Sequence, residues 1–225
     1  MTEKVSQFAR RALWTLPVWA VFLFLATLSH QPDPQTAFAG FAAYVTTDLF
    51  LASHLVASIA GAALGSIGVV ALLLHVQETK GAGKAISGMV ATVASNIFLT
   101  SIFGVAAFAQ PAMGRLFLAG QPGAVDFYNE VYAVPLFATA MVALLLFIAG
   151  GVFIGLAIAA SGLFPRWTGW VYGLAVVGYV VSFILLPVGM SVFSALLILA
   201  TAVIAWHGTV AGSRSPAPVA VKAGA

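Results

Sequence analysis

Four histidines hold most of the chemistry available to this 225-residue chain. His54, Ser58, Gly61, Gly65, Gly68, Leu72 and His75 are separated by 4, 3, 4, 3, 4 and 3 residues. That period keeps all seven on one face of an α-helix. A glycine-lined stripe then carries an imidazole near each end. His30 closes the preceding apolar run, level with His54, and His207 closes the last one, level with His75. Two imidazoles from different helices at one depth, beside small residues, are what bis-histidine ligation of a b-type haem needs. Two features weigh against it. His54 and His75 stand about 31 Å apart on a helix rising ~1.5 Å per residue, wide for two haems stacked in a bundle. His30, His75 and His207 also lie near span ends, where an imidazole meets headgroups and water. Interfacial or packed histidines are the first expectation, and haem b is the alternative.

A second group is His30, Asp33, Asp48, His54, Asp126 and Glu130. Histidines and carboxylates in one layer can bind a divalent metal that activates water. Asp126 and Glu130 are four residues apart and share a face if a helix covers both. No HExxH or comparable spacing is present, so no metal ligand and no catalytic residue is assigned. Solvated loop carboxylates are the simpler expectation, and Asp48 is placed to cap a helix.

The elements that must position these residues follow from composition. The chain is 62% hydrophobic and 7% charged, with a mean hydropathy of +1.08. Soluble domains carry about 25% charged residues, so the bilayer is the solvent for most of this chain. Apolar runs at about 12–28, 49–76, 85–109, 132–161, 168–186 and 190–206 match the ~20 residues of a spanning helix. The first run is too long for the core of a cleaved leader. The fold class is therefore all-α: one polytopic bundle of six spans over residues 1–212, then a Ser/Ala/Pro-rich tail, 213–225, read as disordered. Pro187-Val188-Gly189 is the expected tight turn between the last two spans. Two moderately apolar stretches, 37–45 and 113–119, are expected at the membrane interface.

With six spans, Lys4, Arg10, Arg11, Lys80, Lys84, Arg166, Arg214 and Lys222 fall on one side and only Arg115 on the other. The positive-inside bias makes that side cytoplasmic, with both termini there. Trp14, Trp167, Trp170 and Trp206 sit near cytoplasmic helix ends, and Tyr44, Tyr128 and Tyr132 near outer ends, as an aromatic belt would. The basic residues are dispersed, which excludes nucleic acid as a partner. The absence of Cys removes disulfides, thiolate ligands and thiol nucleophiles.

Gly61/Gly65, Gly151/Gly155 and Gly169/Gly173 are GxxxG pairs, and Gly68 extends the first. Small residues at this spacing let helix backbones approach in lipid. Ser95 and Asn96 make the third span the most polar, and Asn96 is expected to bond a neighbouring helix. No Asp, Glu, Lys or Arg falls in the central part of any span, which argues against an ion-coupled carrier.

The stretch Ser161-Gly162-Leu163-Phe164-Pro165-Arg166-Trp167, followed by a glycine-rich helix, resembles a broad class of uncharacterised bacterial multi-pass proteins. These carry a late Leu-(Ile/Phe)-Pro-(Arg/Lys)-Trp-Leu-Gly turn. The likeness covers about residues 140–210. It implies a bacterial cytoplasmic-membrane protein in which Arg166 and the Trp residues anchor the interface, and it carries no activity. The leading expectation is a non-catalytic accessory protein or a subunit binding lipid or a small apolar ligand. Its partners would be the bilayer and a membrane protein or a second copy. A b-haem electron-transfer subunit, a facilitator-type transporter and an outer-face metal hydrolase are the alternatives.

Overall fold

The computed structural model describes residues 3–28 and 31–210, and these form helices with no strand. His30, Arg214, Lys222 and the tail 213–225 lie outside the described residues. Five segments are long and apolar enough to cross a membrane: Glu3–Ala26, Asp48–Val76, Ala82–Leu118, Val134–Ser161 and Val188–Val210. The protein is membrane-embedded.

The first segment is two helices, α1 (Glu3–Ala12) and α2 (Thr15–Ala26). Pro17 explains the break. It has no N–H to give the Leu13 carbonyl, and its ring crowds that carbonyl. Leu16 N–H turns to Leu13 O instead, at 3.2 Å. α3 (Phe38–Val45) and α4 (Asp48–Ala52) follow. Thr47, not Asp48, caps α4: its hydroxyl oxygen accepts from Phe50 N–H at 3.2 Å. Asp48 lies in the first turn, where the helix dipole favours its charge. The chain continues without interruption through a π-helical segment, Ser53–Ala60, into α5 (Gly61–Val76).

α6 (Ala82–Leu118) has 37 residues, about 55 Å of helix at ~1.5 Å per residue. This corrects the expected end near residue 109 and the separate stretch at 113–119. The helix runs through Pro111 because tertiary packing outweighs the lost backbone bond. Met113 is fully buried, and a Cβ on Gly114 would meet Ala42, Val45 and Thr46 of α3. α7 (Ala124–Val131), α8 (Val134–Ser161), α9 (Arg166–Leu185) and α10 (Pro187–Val210) complete the chain. Gly162 ends α8 at φ +71°, a left-handed position that only glycine takes at little cost. Pro187 opens α10 rather than forming a turn. Leu186 alone separates α9 from α10, and Gly189 N–H bonds its carbonyl at 2.8 Å.

The long helices pack as a closed ring in the order α2, α5, α6, α8, α9, α10 and back to α2. α3, α4 and α7 cap one end, where Phe41, Val45, Phe50, Met113 and Tyr128 form a small core. The other end carries Lys80, Lys84 and Arg166. Between them, Leu13, Leu16, Leu72, Ile154, Ile158, Leu197 and Ile204 fill the ring on the basic side.

Candidate ligand cavity

The glycine pairs set how closely the ring closes. Gly155 and Gly169 face one another. A Cβ on Gly155 would lie 2.6 Å from the Gly169 carbonyl oxygen and 3.0 Å from Gly173 N. The α8 and α9 pairs thus interlock backbone to backbone, and a Cβ on Gly151 would strike Val176 of α9. On α5, Phe22 lies over Gly61, Trp19 over Gly65 and Leu16 over Gly68. All three pairs are used within the chain.

Adjacent residues on α6 bind different neighbours. Ser95 Oγ donates to the Ala143 carbonyl of α8 at 2.8 Å, and both groups are buried. Asn96 Nδ2 donates to the Ala62 carbonyl of α5 at 3.0 Å and to Ser66 Oγ at 2.9 Å. Ser66 Oγ in turn donates to Ala62 O at 2.9 Å. The Asn96 side chain is 4% exposed.

Toward the cap, the ring lines a partly open cavity of about 420 Å³, within the ~300–1,000 Å³ of small-molecule sites. All six ring helices contribute. Trp19 and Leu23 come from α2, Asn96 and Phe103 from α6, Leu144 and Phe147 from α8, Tyr179 and Phe183 from α9, and Met190 from α10. Ala62 is the contribution of α5, and the π segment adds Ser53, His54, Ala57 and Ser58. Trp19 meets Phe147 edge-on at 6.0 Å. Among the described residues, no Asp, Glu, Lys or Arg lines the space.

The π segment decides what the cavity presents. The spacing from His54 to His75 fits one continuous α-helical face, and the structure corrects this. An i→i+5 segment widens the turn and shifts the register of everything before it. His54 and Ser58 are thereby turned into the cavity, while Gly61, Gly65 and Gly68 face α2. The His54 ring packs on Phe50 at 4.1 Å, and its Nδ1 lies 3.0 Å from the Phe50 carbonyl. A carbonyl only accepts, so Nδ1 carries the proton and Nε2 of the neutral ring is left as an acceptor.

At the rim, Gln31 and Tyr44 line the cavity from the cap side. Gln31 Nε2 donates to Gln110 Oε1 at 3.4 Å, and Gln110 Nε2 donates to Tyr132 OH at 2.6 Å. Tyr132 stacks on Tyr128 at 4.5 Å, and burial pushes its phenol up to about 12. Burial, aided by the Asp33 charge, also raises the Tyr128 phenol. The tyrosines expected in an outer aromatic belt are instead packed together in the cap. Trp14, Trp167, Trp170 and Trp206 are exposed.

The residues do not fit a haem along the glycine stripe. Side chains of α2 fill the face where the macrocycle would lie. At the basic end, the His75 ring packs 5.7 Å from Phe164 and lies against Gly208, beside His207 in sequence. Asp33 closes its own turn through Gln35 N–H at 2.9 Å and Thr36 Oγ1 at 3.0 Å. Among the described residues, no three of His, Asp and Glu come close enough to hold a metal.

Asn96 and His54 stand out in the sequence as candidates and Tyr44 only as a belt residue, whereas Trp19, Phe147 and Tyr179 do not. Aromatic residues in apolar runs carry no mark of the cavity they face. No family model, curated protein or solved structure matches the chain.

Proposed function

We propose that this protein is a non-catalytic membrane protein that binds a small, largely apolar molecule inside its helix ring. The carrying observation is the cavity of about 420 Å³ walled by all six ring helices, apolar except for a few uncharged polar groups. An apolar enclosure with a few fixed polar atoms is the usual build of a ligand site.

In this reading α9 is the sixth span, its 20 residues matching the ~20 needed. The basic end, with Arg10, Arg11, Lys80, Lys84 and Arg166, faces the cytoplasm of a bacterial cell and the cap faces outward. The cavity lies in the outer half of the membrane. The intrachain glycine seams leave a second copy no GxxxG face among these pairs, so the bilayer itself is the main partner.

Trp19 reports on the cavity. The other four Trp residues are exposed and tolerate Phe. A protein keeping only Trp19, in lipid nanodiscs, is titrated with 1-bromohexane. Saturable quenching, lost in Ala57→Phe, is expected. Quenching that rises linearly with membrane bromide and ignores Ala57→Phe would overturn the proposal.

A further inference from the structure

The polar atoms of the cavity define the head of the ligand. Asn96 is the most constrained of them. Both of its N–H groups are committed, to Ala62 O and Ser66 Oγ. The Ala62 carbonyl only accepts, which fixes which end of the amide is nitrogen. Oδ1 makes no hydrogen bond, yet no buried side-chain oxygen or nitrogen lacks a partner among the described residues. That oxygen therefore opens onto the cavity that Asn96 lines. A side chain 4% exposed thus holds out one fixed acceptor in an apolar chamber.

The rest of the wall narrows the chemistry. His54 Nε2 is a second acceptor, nearer the rim. His54 precedes Ala62 by eight residues, with Ser58 between them. Among the described residues, no Lys or Arg lines the space to meet a carboxylate or phosphate, and no Asp or Glu to meet an ammonium. A charged head there would be desolvated without a partner, a cost no apolar contact offsets. Resting on the binding reading above, we propose that the ligand is an uncharged single-chain lipid alcohol. Its hydroxyl donates to Asn96 Oδ1, and its chain runs past Ser58 toward the cap.

Competition at Trp19 tests this. The single-Trp19 protein, loaded with 1-bromohexane in nanodiscs, is titrated with decan-1-ol, 1-methoxydecane, decane and decanoate. Concentrations are compared as mole fractions in the membrane. The ether has the same decyl chain and acceptor oxygen as the alcohol but no donor. Decan-1-ol is expected to restore fluorescence at about one-tenth the mole fraction of the ether, the scale of one unmet buried hydrogen bond. Decanoate and decane should be no better than the ether. In Asn96→Ala the alcohol advantage should vanish while bromohexane still quenches. Ser66→Ala, which leaves Oδ1 in place, should keep it. Equal displacement by alcohol and ether in the unsubstituted cavity would overturn the alcohol assignment and leave apolar binding standing. No displacement by any of the four would overturn the binding reading itself. The alcohol-to-ether ratio needs no substitution near Asn96, so a poorly folded Asn96→Ala cannot obscure the answer.

Discussion

At the scale of single residues, two glycines on long helices have opposite surroundings. A Cβ on Gly155 would lie 2.6 Å from the Gly169 carbonyl oxygen, whereas one on Gly104 would meet nothing within 4 Å. Gly155→Ala must therefore push α8 and α9 apart, and overpacking of this kind costs about 1–3 kcal/mol. Gly104→Ala adds only helix propensity, worth up to ~1 kcal/mol. The unfolding midpoint in mild detergent should fall for the first and hold or rise for the second. A stable Gly155→Ala would mean that the α8–α9 backbones do not touch. These glycines are legible in sequence because GxxxG is a geometric requirement written in residue size. The spacing gives the face, but not which face meets which. That Gly151/Gly155 closes on Gly169/Gly173, and that Gly61, Gly65 and Gly68 receive Phe22, Trp19 and Leu16, depends on the ring order.

Among the elements, the π segment Ser53–Ala60 separates two jobs on one continuous helix. After it, glycines seat α2. Within it, His54 and Ser58 face the cavity. Deleting Val56, which is exposed, removes the extra residue of the wide turn and lets the α-helix run through. His54 then rotates by about 100°, one residue of α-helix. Saturable quenching of Trp19 should be lost or sharply weakened, while helix content by circular dichroism stays the same. Unchanged quenching would show that the π turn does not shape the cavity. This element has no signature in the sequence. Spacings of 4 and 3 continue across it, so periodicity reads one α-helical face from His54 to His75. α6 is a similar case. Gln110-Pro111 looks like an end, yet the helix continues to Leu118 because Met113 and Gly114 are buried against α3. Tertiary contacts decide both, and neither is local.

For the whole molecule, orientation rests on charge. Lys80, Lys84 and Arg166 sit at one end of the ring, and Arg115 is the basic residue of the long helix α6 at the other. Hydropathy and charge carry most of this in the sequence, because lipid punishes exposed polar backbone and fixes helix length. They leave α9 undecided, since its Trp, Tyr and Gly residues lower its hydropathy and only Leu186 parts it from α10. The chain has no Cys, so each introduced thiol is a clean address. Gly83 and Gln121 are exposed near opposite ends of α6, and Leu163 and Leu186 flank α9. With a membrane-impermeant maleimide on intact cells, Gln121→Cys and Leu186→Cys should label at once. Gly83→Cys and Leu163→Cys should label only after permeabilisation. The opposite pattern at all four would invert the protein and place the cavity in the cytoplasmic leaflet. Labelling of Leu163→Cys and Leu186→Cys from the same side would remove α9 as a span and leave the two termini on opposite faces. A ring in which one of six walls does not cross could not enclose a chamber in lipid, so this count also decides whether the cavity is a membrane site.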